Sequence, residues 1–105
     1  MPAAARKDGT DSVDVAHGTG DNCASPDTYA TAAGSANVKV NSKGVVRQGD
    51  AMESHPNVGC VAHAPGLSTY SSNVFANGKG IGRDGDQYGA GHDISSGSSN
   101  VFVGG

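Results

Sequence analysis

Four histidines and two cysteines are the side chains of this sequence that are best suited to bind a metal ion. Neutral imidazoles can converge on one cation without repelling each other, and tetrahedral zinc prefers nitrogen and sulfur ligands. We therefore predict one zinc ion at a point where three loops meet. The three histidines that point to it each follow an arginine at a similar distance: His17 after Arg6, His55 after Arg47 and His92 after Arg83.

The segment 55–63 is predicted to supply the fourth ligand, because it contains both Cys60 and His63. A thiolate from Cys60 would neutralise half of the charge of the metal, so both residues stay candidates. Cys23 lies farther from the loop apex and is a further candidate, and a disulfide between Cys23 and Cys60 is the alternative use of the two thiols. Four protein ligands leave no position for water or substrate, so the predicted zinc is structural and the protein is not expected to be an enzyme.

A sequence repeat must position these loops. Residues 34–50, the first copy, return 36 residues later as residues 70–86, the second copy. The third copy is split, because residues 97–105 supply its first half and residues 2–17 its second, with extra residues at 7–11. We expect the two chain ends to meet at a turn and residues 1–105 to form a single domain.

Each copy predicts a short β-hairpin. Apolar residues alternate with a period of two in the first half of each copy, and Asn77-Gly78 is a strong two-residue turn signal. A single hairpin is marginally stable in water, so three hairpins are predicted to pack around a pseudo-threefold axis. The sequence therefore predicts an all-β fold with six short strands.

Turn residues recur at fixed places in the copies. Gly9, Gly49 and Gly85 are predicted at positions that require a positive φ. Two arginine–aspartate pairs are expected to link neighbouring copies, with solvated charge at a turn as the alternative. These pairs are Arg47 with Asp50 and Arg83 with Asp86.

The chain offers little material for a hydrophobic core. Of its 105 residues, 35% are hydrophobic and 5% are aromatic, while 17 are glycines, which lose the most backbone entropy on folding. A structural zinc contributes about 10–16 kcal/mol in zinc-finger peptides, whereas whole domains are typically stable by about 5–15 kcal/mol. We therefore expect the metal to decide whether the histidine end of the protein folds.

Charge and hydropathy exclude several partners. The net charge of −3 with only 7 Lys plus Arg argues against nucleic acid, whose backbone requires a basic patch. No run of about 20 apolar residues could span a bilayer, and the first residues lack the apolar core of a signal peptide, so synthesis in the bacterial cytoplasm is expected. Residues 80–85 match GxGxxG, but no helical pattern follows, so no small-molecule substrate is predicted from them.

Three motifs together resemble the PAAR-repeat family, the tip proteins of contractile phage tails and of type VI secretion systems. The resemblance covers most of the chain. It rests on the Pro-Ala-Ala-Ala-Arg run at residues 2–6, on Ser-x-Asn-Val-Phe at residues 71–75 and 98–102, and on Arg-x-Gly-Asp at residues 47–50 and 83–86.

The resemblance implies a conical fold of hairpins with pseudo-threefold symmetry, with one structural Zn²⁺ at the vertex and a broad base. One monomer would cap a trimeric β-helical spike protein, and the tip would touch the target membrane transiently. His17, His55, His63 and His92 resemble the ligand positions, and His63 is favoured over Cys60. Many relatives have cysteine where this chain has His55 and His92, which leaves the sulfur ligand open. The size fits a phage baseplate tip on a virion tail, with a secretion-machine tip as the other location.

Two functions from other classes remain as alternatives. A small zinc-dependent hydrolase would need a coordination position that is open to solvent. A cell-surface or carbohydrate-binding β module would need an exposed aromatic platform, for which the candidates are Tyr29, Tyr70 and Tyr88.

Overall fold

The computed structural model describes residues 2–15, 28–56 and 62–104, and this part is essentially all-β, as predicted. Its only helical segment is a 3₁₀ turn at Gly89–Gly91. Within the described residues, no helix is long and apolar enough to cross a membrane. The strands are β1 (Ser12–Asp14), β2 (Thr28–Ala30), β3 (Lys39–Val40), β4 (Lys43–Gly44), β5 (His55–Pro56), β6 (Ala62–His63), β7 (Phe75–Ala76), β8 (Lys79–Gly80), β9 (Gln87–Tyr88) and β10 (His92–Ile94).

Two of the predicted hairpins are closed by two-residue turns. Asn77-Gly78 joins β7 to β8 with φ values of 54° and 76°. Asn41-Ser42 joins β3 to β4 with φ values of 52° and 68°. Both central residues of each turn are therefore left-handed, which matches the twist of the flanking strands and is typical of type I′ turns.

The third hairpin is formed by the two ends of the chain, as the split copy predicts. Ala3 pairs with Phe102 across an antiparallel bridge. The Val103 N–H donates to the Pro2 carbonyl at 2.8 Å. Val103 and Pro2 stand in the same register as Val40 and Lys43 in the first copy. The ends therefore lie where the other copies have their turn.

A closed ring of main-chain hydrogen bonds joins the three copies around a common axis. The Ala5 N–H donates to the Gly82 carbonyl at 3.0 Å, Gly82 donates to Val46 at 2.8 Å, and Val46 donates back to Ala5 at 3.0 Å. We call this triangle the axial ring. A second set of three bonds, at 2.8–2.9 Å, joins the copies in the opposite order, from Lys7 to Gly44, from Gln48 to Gly80 and from Asp84 to Ala3. The predicted pseudo-threefold packing is thus built from the backbone itself.

The apolar side chains form two clusters on opposite sides of the axial ring. Consecutive residues point in opposite directions, so Val45 faces one cluster and Val46 the other. The hairpin cluster consists of Ala4, Val45, Ala76, Ile81 and Val103. The loop cluster consists of Ala5, Val13, Val15, Val46, Met52, Leu67, Tyr88 and Ile94.

The loops that leave the copies also pair with each other, which the repeat did not predict. Each loop has an outgoing segment and a return segment, and the return of one loop pairs with the outgoing segment of the next copy. The pairs are Thr31 with Met52, Leu67 with Tyr88, and Ile94 with Val13, and all six residues are buried. The longest of these pairings extends into a four-stranded sheet of order β2-β1-β10-β9.

Gly80, in the hairpin of the second copy, packs closely against the first residues of the same copy, Tyr70 and Ser71. A methyl group at this position would meet the Ser71 carbonyl oxygen at 2.5 Å and the ring of Tyr70. We expect Gly80→Ala to lower the free energy of unfolding by about 1–3 kcal/mol, because backbone atoms cannot yield without strain. Urea denaturation measures the effect. Lys79→Ala, at the exposed neighbour in β8, is the control and should stay within about 0.5 kcal/mol of the parent.

Candidate metal centre

An arginine and an aspartate brace the start of each loop. The Asp50 carboxylate accepts the Arg47 backbone N–H at 2.9 Å and its Nε at 2.8 Å. Arg83 and Asp86 repeat both contacts at 2.8 Å. In the split copy, Asp11 takes this place for Arg6, at 2.7 Å from the backbone nitrogen. The extra residues of the split copy thus bulge between partners that keep the same geometry.

The arginine–aspartate pairs lie within one copy, whereas the sequence predicted that they link neighbouring copies. The link is made by the remaining guanidinium nitrogen, which reaches the hairpin turn of the next copy. Arg47 Nη1 donates to Asn77 Oδ1 at 3.0 Å, and Arg6 Nη1 to Asn41 Oδ1 at 3.3 Å. The hydrogen bond that each arginine donates to its aspartate raises the pKa of the arginine, while burial lowers it by less, so the cations stay charged.

The three turn glycines fix where each loop returns. Gly9, Gly49 and Gly85 have φ values of 74°, 82° and 94°, which confirms the predicted positive φ. Each donates its N–H to a carbonyl on a return segment at 2.7–3.0 Å: Gly9 to Thr31, Gly49 to Leu67 and Gly85 to Ile94. The return segments are therefore held at equivalent places although the loops differ in length.

Two of the predicted ligand loops bring histidines together. His55 in β5 lies directly opposite His63 in β6. The imidazole ring of His63 also meets that of His92, with ring centres 5.5 Å apart and planes at 89°. His92 is buried, with 4% of its surface exposed. Of the five predicted ligands, His63 and His92 thus meet through their rings, and the backbone pairing places His55 opposite His63.

The spacing of these rings fits a shared zinc ion. With Zn–N distances of about 2.0–2.1 Å and a tetrahedral angle, two bound imidazoles have ring centres about 5 Å apart. The 5.5 Å between His63 and His92 is close to that value. Within the described ranges, no group of three or more His, Cys, Asp or Glu side chains could by itself hold a metal. The predicted ligands His17 and Cys60, and the candidate Cys23, lie outside these ranges.

His92 does not occupy the loop position that its distance from Arg83 indicates. The hydrogen bond from Gly85 to Ile94 marks the return segment of this loop, and His92 lies on that segment, two residues before Ile94. His55, in contrast, lies on an outgoing segment. The loop of the second copy is short, because only β9 and the 3₁₀ turn separate Asp86 from β10. Counting residues from an arginine therefore cannot identify equivalent histidines in loops of unequal length.

The tyrosines do not form an exposed platform. Tyr88 is fully buried, and Tyr29 and Tyr70 are partly buried against the loop cluster. The large aromatic side chains that are exposed are Phe75 and Phe102, at equivalent positions of two hairpins. This arrangement gives no support to a carbohydrate-stacking surface built from the tyrosines.

Tyr88 makes the protein sensitive to alkaline pH. Burial, with smaller contributions from the charges of Asp50 and Asp11, raises the pKa of its phenol. The folded state therefore keeps the proton to a higher pH than the unfolded state does. The stability is fully present below the ordinary pKa of about 10 and is lost as the pH rises above it, by up to about 1.4 kcal/mol per pH unit.

We expect Tyr88→Phe to reduce this alkaline loss in urea denaturation at a series of pH values. At neutral pH the variant should be as stable as the parent or more stable, because the Tyr88 hydroxyl has no hydrogen-bond partner among the described residues. Tyr70→Phe, at a partly buried ring, is the control. An unchanged pH slope in Tyr88→Phe would contradict the assignment.

No model of a known protein family matches the chain, and a search of curated proteins also gave no match.

Proposed function

We propose that this chain is a PAAR-like tip protein of a contractile injection machine, in which one monomer caps a trimeric β-helical spike. The observation that carries the proposal is the axial ring, in which Ala5, Val46 and Gly82 close a cycle of backbone hydrogen bonds. A single chain thereby presents three similar faces around one axis. Such a monomer can match its pseudo-symmetry to the true threefold symmetry of a partner.

The hairpin end of the molecule supplies the surface for this docking. Val38, Val74 and Val101 stand at equivalent positions of the three copies and pack against the hairpin cluster or remain exposed at its edge. Phe75 and Phe102, with exposures of 57% and 52%, lie next to them. Contiguous exposed apolar patches are typical of interaction sites. The short hairpins can also continue the strands of a β-helical partner through main-chain bonds.

The opposite end carries the histidines. His55, His63 and His92 would hold a zinc ion, with His17 or Cys60 completing the set. The ion would supply a structural cross-link between loops and no reactive water, because four protein ligands fill its coordination shell. β6 and β10 contribute by holding the rings of His63 and His92 against each other before the metal binds. A tip that is cross-linked in this way resists fraying on contact with a target membrane.

The proposal places the protein at the end of a phage tail baseplate. The test is to mix the purified chain with trimeric β-helical spike proteins of contractile phages and to measure the complexes by native mass spectrometry. We expect one chain per three spike chains. Absence of any complex, or a one-to-one ratio of chains, would contradict the proposal.

Matched variants separate the docking end from the histidine end. Val74→Asp puts a charge on the hairpin end, at a side chain that is 36% exposed and so tolerates the change in the free protein. It should abolish the complex. Asp14→Lys, at an exposed position of β1 in the four-stranded sheet, should leave binding intact. If Asp14→Lys abolished the complex and Val74→Asp did not, the docking surface would not lie at the hairpin end, and the proposal would be contradicted.

A further inference from the structure

The exposed turn Asn77-Gly78 carries a chemical liability at a joint between copies. We propose that Asn77 is a site of spontaneous deamidation, and that its conversion to isoaspartate loosens the contact between the first and second copies. The inference is independent of the function proposed above, because it needs only this chain and water.

The reaction uses groups that the turn places next to each other in the chain. The backbone nitrogen of Gly78 attacks the side-chain carbonyl carbon of Asn77 and forms a new C–N bond. The bond from that carbon to the amide nitrogen breaks, and the proton of the Gly78 N–H leaves with it as ammonia. Water then opens the five-membered imide at either carbonyl and returns a proton to the nitrogen. The products are aspartate and isoaspartate, and no oxidant or reductant takes part.

Gly78 favours this attack because it has no side chain to shield its nitrogen. Both turn residues are exposed, and a Cβ at Gly78 would meet no atom within 4 Å, so the surroundings leave room for the imide. The first copy offers an internal comparison in Asn41-Ser42. That turn has the same left-handed geometry, but Ser42 carries a side chain next to the backbone nitrogen that would attack Asn41.

The side-chain amide of Asn77 holds neighbouring segments together. Its Oδ1 accepts the Ser35 hydroxyl at 2.6 Å and Arg47 Nη1 at 3.0 Å. Its Nδ2 donates to Asn37 Oδ1 at 2.9 Å. These bonds restrain the amide, so the reaction proceeds from states in which the joint has opened locally.

The two products differ in what they do to the joint. Aspartate keeps the oxygen that faces Arg47 and loses only the donor to Asn37. Isoaspartate adds a carbon to the main chain within a two-residue turn, so the pairing of Ala76 with Lys79 cannot keep its register. The isoaspartate form is therefore the one that weakens the hairpin.

A reciprocal exchange of the two turns tests the proposal. Purified protein is incubated at neutral pH, and each asparagine is followed by peptide mass spectrometry with a fragmentation method that distinguishes isoaspartate. We expect Asn77 to react about tenfold faster than Asn41 or more, because only glycine leaves the nitrogen unhindered. Gly78→Ser should slow Asn77 to the rate of Asn41, and Ser42→Gly should accelerate Asn41. Both variants should fold, since the φ values of 76° and 68° show that the same turn accepts either residue.

Serine variants test the role of the joint. Ser35→Ala removes a hydrogen bond to Asn77 and should accelerate its loss. Ser71→Ala is the matched control, because the equivalent hydroxyl contacts the Gly104 carbonyl at 2.6 Å and Asn73 Oδ1 at 3.2 Å, and neither group belongs to the Asn77-Gly78 turn. Equal rates at Asn77 and Asn41, rates that do not exchange with the turns, or no reaction at Asn77 would each overturn the proposal.

Discussion

Removal of zinc with a strong chelator is expected to lower the free energy of unfolding by about 5 kcal/mol or more, because ligand binding to a structural zinc is coupled to folding. The structure supplies the reason for a large effect. His63 and His92 lie on the loops of different copies, so a metal between them would add a cross-link to two loops that are otherwise joined at the pairing of Leu67 with Tyr88. Thermal unfolding with and without chelator, together with metal analysis, measures the change.

Variants distinguish the metal from ordinary packing. His63→Ala and His92→Ala should each abolish the stabilisation by zinc, whatever they do to the metal-free protein. Asp93→Asn is the control, because Asp93 is exposed next to His92 and its carboxylate is bonded to Gln87 at 2.8 Å. A zinc response that survives in His63→Ala would remove this residue from the ligand set. Failure of the parent to bind one zinc ion would remove the metal centre altogether.

Asp11→Ala is expected to lower the free energy of unfolding by about 3–5 kcal/mol, the range for breaking a buried ion pair from one side. The Asp11 side chain has no exposed surface. It accepts the Arg6 backbone N–H at 2.7 Å, Nη2 at 2.7 Å and Nε at 3.0 Å, and the Ser96 hydroxyl at 3.0 Å. Alanine leaves the guanidinium of Arg6 largely buried without a counter-charge. Urea denaturation is the appropriate measurement, since urea does not screen charge.

Two further changes give this prediction its scale. Asp11→Asn keeps one acceptor oxygen and should cost less than Asp11→Ala. Asp8→Asn removes an ion pair to Lys7 at 4.0 Å whose aspartate is 58% exposed, and the effect should stay below about 1 kcal/mol. Asparagine also tolerates the positive φ of 60° at this position. If Asp11→Ala lowered the free energy of unfolding as little as Asp8→Asn, the pair of Arg6 and Asp11 would not contribute to stability.

The hairpins and the meeting of the chain ends could be predicted because they depend on local signals. Turn residues such as Asn77-Gly78 act over a few positions, and the repeat multiplies the signal. The split copy followed from matching residues 97–105 to the starts of the other copies. The bridge of Ala3 with Phe102 brings the two chain ends together, as we expected.

The pairing between loops was not predicted, because the residues at equivalent places of the three copies differ in chemistry and lie far apart in the sequence. Val13, Met52 and Tyr88 share neither size nor polarity, yet all three are buried at the same place in their copies. Each stands two residues after the aspartate of its copy. Counting from these aspartates, and not from the arginines, would have revealed the equivalence.

The histidines could be predicted only in part for a related reason. The repeat grouped His17, His55 and His92, and the segment 55–63 added His63; the backbone pairing of His55 with His63 and the ring contact of His63 with His92 support the part of this grouping that the structure describes. Which strand carries each residue depends on loop length, and no local pattern encodes it. The order in which histidines from loops of unequal length meet is decided by tertiary structure.

Among the described residues, the joint between the second copy and the split copy has fewer side-chain hydrogen bonds than the other two joints. Asn41 and Asn77 each bridge two copies with an oxygen and an amide nitrogen, whereas Gly104 offers Arg83 and Ser71 only a carbonyl oxygen. Thermal motion will therefore open this joint first, and amide protons there will exchange with solvent before those at the other two joints.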